Sequence, residues 1–135
     1  LKDASLEMAT LAHPLASDAE LQSLNAVKVV VNQNGEALYF SRYPIPYSRV
    51  SAKQAGLGGA LKHIGLYAYR KKFLGQFCAA VPAEIEKAES LEQLRALHLG
   101  ARIRVVPVRE NLVGVDTPED LRRVEEILKA AKEMK

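Results

Sequence analysis

Residues 61–71, LKHIGLYAYRK, have the alternating pattern of a β-strand, in which successive side chains point to opposite faces of a sheet. One face is aliphatic and suits a hydrophobic core: Ile64, Leu66 and Ala68. The other face is polar and aromatic: His63, Gly65, Tyr67 and Tyr69. Because Gly65 removes bulk between His63 and Tyr67, a ligand could lie between the imidazole and the phenol. A solvent-exposed or dimer-forming face fits the same residues, because aromatic side chains are also common at interfaces.

The residues before this strand predict a hairpin and an earlier strand. Residues 27–31 form a β-branched apolar run, and residues 37–41 form a second strand. The Asn-Gly pair at positions 34–35 lies between them and is a strong hairpin signal. A further strand is predicted at residues 7–15, followed by a short helix that starts near Ser17.

The residues after this strand predict helices with one more strand among them. Apolar residues at helical spacing predict a helix that ends at Pro82, and residues 90–100 predict a second helix. Residues 101–108 have the composition of a strand, and residues 116–135 that of a final amphipathic helix. Residues 50–60 are rich in Gly and Ala and predict a mobile loop. Strands that alternate with helices favour an α/β sheet.

The composition is that of an ordinary globular domain. The chain has 135 residues, a net charge of +3, and 19 basic and 16 acidic residues interspersed along it, which does not indicate a nucleic-acid-binding protein. No apolar run approaches the roughly 20 residues that a membrane span needs, so we expect no membrane partner. The one cysteine, Cys78, allows no intramolecular disulfide, which is compatible with the cytoplasm.

Candidate binding residues lie where strands end. In open α/β sheets, ligands bind beyond the carboxyl ends of the strands. Three places meet this condition: the strand end at Ser41 and Arg42, the face with His63 and Tyr67, and the turn before Asp116. The guanidinium of Arg42 could bind a carboxylate or a phosphate through two parallel hydrogen bonds. By chemistry alone, a surface arginine at the start of a loop is the simpler interpretation.

The stretch ESLEQLR, residues 89–95, has two interpretations. Ser90 and Gln93 fit a capping box at the start of a helix, and Glu92 would lie in the first turn, where the helix dipole favours a carboxylate. Alternatively, Glu92 and Gln93 would form hydrogen bonds with the hydroxyl groups of a substrate. By the physics of the sequence alone, the cap is favoured.

The stretch VGVDTPEDL, residues 113–121, contains a candidate metal ligand. Thr117 is a good N-cap and Pro118 suits the first helical position, so the start of the helix does not require Asp116. A carboxylate at that position could contact Mg²⁺, which usually takes one or two protein carboxylates together with substrate phosphates and water. A single aspartate before a helix is a weak metal signal by itself.

Taken together and in order, these stretches resemble the C-terminal half of the bacterial 3-deoxy-manno-octulosonate cytidylyltransferases. Four strings carry the resemblance: ALYFSRYPIPYSR, LKHIGLYAYRKKFL, ESLEQLRAL and VDTPEDLRRVE. Two more fit the stretch before them: MATLAHPL and NAVKVVVNQNGEALYFS. The resemblance implies the C-terminal portion of a Rossmann-like α/β nucleotide-diphospho-sugar transferase fold, usually assembled as a homodimer. It also implies a cytoplasmic enzyme that uses CTP, Mg²⁺ and the sugar acid 3-deoxy-D-manno-octulosonate (Kdo) for lipopolysaccharide biosynthesis.

The resemblance also implies roles for individual residues. The substrate-binding residues would line the sugar pocket: Arg42, His63, Tyr67, Glu92 and Gln93. Asp116 would be one of two aspartates that hold the metal ion. No general base can be assigned. The reaction would transfer CMP from CTP to Kdo and release pyrophosphate.

The chain departs from the family pattern in two respects. The segments of the family that bind the CTP phosphates and supply the second metal-binding aspartate have no counterpart here, and the Gly-rich loop after Arg49 is shorter. We therefore expect residues 1–135 to form a single partial domain, the sugar-binding and dimerisation half, which would be inactive without the N-terminal nucleotide-binding half. The alternatives are a cytidylyltransferase for another sugar acid, or a non-catalytic binding or oligomerisation module derived from such an enzyme.

Overall fold

The computed structural model describes residues 3–49, 57–109 and 118–133. The strands and helices of these residues follow one another as β1 (Met8–Pro14), α1 (Asp18–Gln22), β2 (Lys28–Val31), β3 (Ala37–Ser41), β4 (Leu61–Tyr69), α2 (Lys71–Ala79), α3 (Glu84–Glu89), α4 (Gln93–His98), β5 (Ile103–Pro107) and α5 (Pro118–Glu133). The predicted alternation of strands and helices is therefore confirmed. The predicted mobile loop falls largely on residues 50–56, which lie outside the described residues.

The described strands form one mixed sheet with the order β3-β2-β4-β1-β5. The pairs β2–β3, β2–β4 and β1–β4 are antiparallel, and only β1 and β5 run parallel. Parallel neighbours need a long crossover connection, and here the crossover from β1 to β5 contains the rest of the sheet and helices α1 to α4. The sheet places the C-terminal end of β3 and the whole of β4 near the helices that follow.

The predicted hairpin is present, with a longer turn than a two-residue Asn-Gly loop. The backbone N–H of Asn32 donates to the Glu36 carbonyl at 2.9 Å, which closes a three-residue loop. Gly35 has φ +71°, whereas Asn34 does not have positive φ as a type I′ turn requires. The Asn32 side chain accepts from the backbone N–H groups of Asn34 and Glu36, at 2.8 and 3.0 Å, and this stabilises the longer turn.

The hydrophobic core lies between the sheet and helices α2 and α4. Helix α2 contributes Phe73 and Phe77, and α4 contributes Leu94 and Ala96. The sheet contributes the buried side chains of its central and edge strands: Met8, Ala12, Val29, Ala37, Phe40, Ile103 and Val105. Tyr67 and Tyr69 of β4 pack against this cluster. The polar and aromatic face of β4 therefore points toward the helices.

The prediction that the aliphatic side chains of β4 face the hydrophobic core is wrong. Leu66 is 62% exposed, and Gly65 and Leu66 form a bulge in the ladder with β1. Thr10 pairs with Tyr67 while Leu11 pairs with Ile64, so two residues of β4 are inserted between consecutive pairs. Since the insertion has an even number of residues, the aromatic side chains stay on one face, and the helices cover that face.

The predicted capping box of Ser90 and Gln93 is also wrong. Ser90 has a left-handed conformation, φ +53°, and ends α3, a helix that the sequence did not indicate. Helix α4 begins at Gln93 with Glu92 in the N-cap position, and no side chain caps it. The side chain of Glu86 accepts a hydrogen bond from the backbone N–H of Ala83 at the start of α3. The residues between Glu89 and Gln93 therefore connect two short helices.

Helix α5 is described from Pro118 onward, and its proposed cap Thr117 lies outside the described residues. Two residues of its apolar stripe, Leu121 and Leu128, are at least half exposed. Among the helices of the described residues, none is long and apolar enough to cross a membrane.

Candidate substrate site

A row of aromatic rings on β4 forms the floor of the candidate site. The ring centroids of His63 and Tyr67 lie 5.4 Å apart, and those of Tyr67 and Tyr69 lie 6.0 Å apart. Phe40 of β3 meets the imidazole of His63 edge-on at 5.0 Å, and Phe77 of α2 lies 5.8 Å from Tyr69. The structure thus brings the two predicted residues of β4 together in a half-buried row held at both ends by core phenylalanines.

The imidazole of His63 is neutral at physiological pH. Burial lowers its pKa from the usual 6.5 to about 4. Its Nε2 atom lies 2.9 Å from the hydroxyl oxygen of Thr10, a buried residue of the neighbouring strand β1. A neutral imidazole has one donor and one acceptor nitrogen, so His63 can bind a polar group without bringing a positive charge.

The structure also places Glu92 near this aromatic row. Burial raises the pKa of the Tyr67 phenol, and the nearby Tyr69 and Glu92 side chains raise it further. The pKa of Tyr69 is raised by burial and then by Glu92. Both phenols are therefore protonated at neutral pH and can donate hydrogen bonds. The exposed carboxylate near these phenols, that of Glu92, lies at the start of α4.

Gln93 follows Glu92 in the first turn of α4 and is only 5% exposed. Within residues 3–49, 57–109 and 118–133, its side-chain amide forms no hydrogen bond. Neither polar atom of this amide is both buried and without a partner, so the amide end of the side chain is accessible to water or to a ligand.

Arg42 connects the end of β3 to the junction between α3 and α4. Its Nε donates to the Glu89 carbonyl at 2.9 Å, its Nη2 to the Ser90 carbonyl at 3.3 Å, and its Nη1 to the Leu24 carbonyl at 3.4 Å. A guanidinium has five N–H groups, so one remains on each of Nη1 and Nη2. Two N–H groups are what a two-point contact with a carboxylate needs. The Ser90 carbonyl lies two residues before Glu92 in the chain, so Arg42 is bonded to the junction that leads into α4.

Glu89, which the sequence analysis did not single out, holds the end of β3. Its carboxylate accepts from the Ser41 hydroxyl at 2.6 Å and from the backbone N–H of Arg42 at 2.9 Å. The Ser41 hydroxyl also accepts from the backbone N–H of Tyr43 at 2.9 Å. One acidic side chain on α3 thus fixes the backbone from which the Arg42 side chain extends. No local pattern in the sequence distinguishes this glutamate from those around it.

Lys28 is a second supporting residue that the sequence analysis missed. Its side chain is fully buried, and its Nζ donates to the carbonyls of Ser23 at 2.8 Å, of Ala26 at 2.6 Å, and of Arg42. Burial lowers the pKa of Lys28, while the nearby Glu89 carboxylate opposes this effect. The signal in the sequence was a single lysine within the apolar run 27–31.

The described residues contain no group of three or more His, Cys, Asp or Glu side chains that could hold a metal ion. Asp116, the predicted metal ligand, lies outside the described residues. The metal therefore remains an expectation that rests on the sequence alone.

The chain is similar in sequence to known cytidylyltransferases. The family model described as cytidylyltransferase matches residues 1–103. The chain is 67% identical over 127 residues to a 3-deoxy-manno-octulosonate cytidylyltransferase of Bdellovibrio bacteriovorus, covering 93% of this chain and 51% of the relative. A protein of the same name from Syntrophus aciditrophicus is 50% identical over 127 residues, covering 94% of this chain and 50% of the relative. The chain thus spans about half the length of these curated relatives.

A solved structure supports the same assignment. The structure of CMP:2-keto-3-deoxy-manno-octonic acid synthetase complexed with CTP has a TM-score of 0.86 with this chain at 44% sequence identity. The match covers 96% of this chain and 52% of that one. It confirms the predicted fold class, α/β with the topology of the C-terminal portion of a nucleotide-diphospho-sugar transferase. The chain belongs to the cytidylyltransferase family.

Proposed function

We propose that this chain is the sugar-acid-binding part of a cytidylyltransferase that transfers CMP from CTP to Kdo. One observation carries the proposal: His63 and Tyr67 lie side by side in a half-buried aromatic row, Glu92 is close enough to raise the pKa of Tyr67, and Arg42 is hydrogen-bonded to the junction that leads to Glu92 and Gln93. The close relatives that carry the Kdo name add to this support.

The residues of the site match the groups of a sugar acid. The two remaining N–H groups of Arg42 would bind the carboxylate. His63, Tyr67 and Gln93 would form hydrogen bonds with the sugar hydroxyls, and Glu92 would accept from another hydroxyl. Holding the sugar in this way orients its anomeric hydroxyl toward the α-phosphate of CTP, and positioning of this kind can lower a reaction barrier by roughly 7–11 kcal/mol.

The reaction would then be an in-line substitution at phosphorus. A bond forms between the anomeric oxygen and the α-phosphorus, the bond to the bridging oxygen of pyrophosphate breaks, and the hydroxyl proton leaves to solvent. None of the described residues is assigned as a general base. Magnesium belongs to the proposal through Asp116, whose carboxylate would supply one ligand and help to neutralise the phosphate charge.

The whole protein is proposed to be a cytoplasmic homodimer that supplies CMP-Kdo for lipopolysaccharide biosynthesis. Twofold dimers are the commonest assembly of soluble proteins, and the single cysteine, Cys78, fits a reducing compartment. Light scattering of the whole protein tests the assembly. A mass that stays at one chain over a hundredfold range of concentration would contradict the dimer.

The sugar site is tested by binding of Kdo to the whole protein that contains this chain. A hydrogen bond to a charged group contributes roughly 1.5–3 kcal/mol, so Arg42→Ala should weaken Kdo binding by about ten- to a hundredfold in calorimetry. Arg42→Lys should restore it only in part, because lysine lacks the planar fork. Arg104→Ala is the matched control, since Arg104 donates to the Asn34 carbonyl at the opposite end of β3. Unchanged Kdo affinity of Arg42→Ala would refute the assignment.

Turnover separates the proposed reaction from its alternatives. Pyrophosphate release by the whole protein with CTP and Kdo supports the proposal, release with a different sugar acid indicates a related enzyme, and no release indicates a binding module. Asp116→Asn should abolish magnesium-dependent release while the protein still folds, because Thr117 and Pro118 can start the helix without it. Full activity of this variant would exclude the metal role.

A further inference from the structure

We propose that Thr10 is a positioning residue that determines which nitrogen of His63 carries the proton, so that His63 presents a hydrogen-bond acceptor to a substrate hydroxyl. The first half of this statement depends only on the fold. The second half, the contact with a substrate hydroxyl, rests on the proposed function.

The geometry around the Thr10 hydroxyl is unusual for a residue in a strand. Its oxygen lies 3.1 Å from the carbonyl oxygen of Ile64, 3.0 Å from that of Leu66, and 2.9 Å from Nε2 of His63. The bulge at Gly65 and Leu66 brings the two carbonyls to this one hydroxyl. Thr10 is almost completely buried, so water does not replace any of these three contacts.

The Thr10 hydroxyl has a single proton, and three atoms lie within hydrogen-bonding distance of its oxygen: two carbonyl oxygens and Nε2 of His63. Carbonyl oxygens only accept hydrogen bonds, whereas a neutral imidazole nitrogen can donate or accept. If the hydroxyl donated to Nε2, both carbonyls would face the lone pairs of the Thr10 oxygen at about 3 Å with no proton between them. If it donates to the carbonyls, Nε2–H of His63 can donate to the hydroxyl oxygen, and every contact is attractive. The second arrangement is favoured, so the proton of His63 lies on Nε2.

The other ring nitrogen is then an acceptor. Because burial keeps the pKa of His63 at about 4, the ring is neutral at pH 7 and Nδ1 has a free lone pair. In the part of the chain that the structure describes, no hydrogen bond to Nδ1 of His63 is found. A hydroxyl could donate to this atom, whereas a carboxylate would be repelled by it. The site would thus distinguish the groups of a sugar acid: the carboxylate would bind to Arg42, and a hydroxyl would donate to His63.

The tautomer of His63 can be measured directly. Long-range ¹⁵N–¹H correlation spectra of the labelled whole protein distinguish protonated from unprotonated ring nitrogens. We expect a protonated Nε2 in the wild type and in Thr10→Ser, which keeps the hydroxyl. Thr10→Val has nearly the same shape without the hydroxyl and should give a mixture of tautomers. A protonated Nδ1 in the wild type, or an unchanged pure Nε2–H form in Thr10→Val, would overturn the proposal.

Kinetics test the link to the substrate. Loss of one oriented hydrogen bond should raise KM for Kdo by about tenfold in Thr10→Val and leave KM for CTP unchanged, with recovery in Thr10→Ser. An altered tautomer without any change in KM for Kdo would refute the acceptor role and leave the Thr10–His63 contact established. If the wild type binds no Kdo, the proposed function fails and the acceptor role with it, while the spectra still decide the tautomer.

Discussion

Acidification should destabilise the folded protein through His63 before its carboxylates are protonated. Burial lowers the pKa of His63 to about 4, while the unfolded chain has the usual value of 6.5. Between these two values the unfolded state binds more protons than the folded state, so the free energy of unfolding falls as the pH falls. The contribution of neutral His63 is fully present above pH 6.5 and is lost as the pH approaches 4.

The size of the effect follows from the two pKa values. Each unit of difference between the folded and unfolded pKa corresponds to about 1.4 kcal/mol in the free energy of unfolding. The full difference between 6.5 and about 4 therefore corresponds to about 3 kcal/mol. Between pH 7 and pH 5, where most of the unfolded histidine becomes charged, the loss is about 2 kcal/mol. The carboxylates of Glu20 and Glu86 have pKa values below their usual 4.5, so their contributions are lost only at lower pH.

Chemical denaturation at pH 7, 6 and 5 measures this loss. The matched variant is His63→Gln, which does not titrate and whose amide can still donate to the Thr10 hydroxyl. His13 and His98 are present in both proteins, so their contributions cancel in the difference. The wild type should lose about 2 kcal/mol more than the variant between pH 7 and pH 5. Equal losses in the two proteins would show that His63 is not buried as a neutral group.

Three substitutions, with Leu24→Ala as a control, test the packing around the site by chemical denaturation. Lys28→Met removes the donor to three carbonyls and should cost about 3 kcal/mol, and an unchanged stability would refute the buried network. Leu94→Ala should cost about 3 kcal/mol because the side chain is fully buried, whereas the exposed Leu24→Ala should cost under about 1. Gly35→Ala should cost about 1–2 kcal/mol because φ is +71° there, and a smaller loss would mean that the turn rearranges.

The elements that local patterns define were predictable from the sequence. The hairpin of β2 and β3, the long strand β4 and the presence of helix α5 all agree with the structure. Periodicity, β-branching, Gly and Pro act over a few residues, so the sequence carries them directly. The family membership was predictable as well, because long strings with the family's spacing extend over most of the chain, and the comparisons confirm it.

Features that depend on distant residues were not predictable in this way. The faces of β4 were assigned incorrectly because the packing of α2 and α4 against Tyr67 and Tyr69, and not the alternation within the strand, decides which face is covered. The bulge at Gly65 and Leu66 likewise exists only in the pairing with β1, about 55 residues earlier in the chain. Ser90 fitted a cap by its local pattern, but the contacts of Glu86 with Ala83 and Arg95 stabilise a separate helix that ends there.

The supporting contacts of the site were likewise decided by the tertiary structure. Residue type and motif identified Arg42 and His63 as candidates, but nothing local indicates that Glu89 holds the Arg42 backbone or that Thr10 contacts His63. These contacts join residues 47 and 53 positions apart, and they form only when the sheet brings their strands and helices together. The candidate residues could therefore be named from the sequence, whereas the protonation and orientation of their side chains follow from burial and from neighbours that the fold supplies.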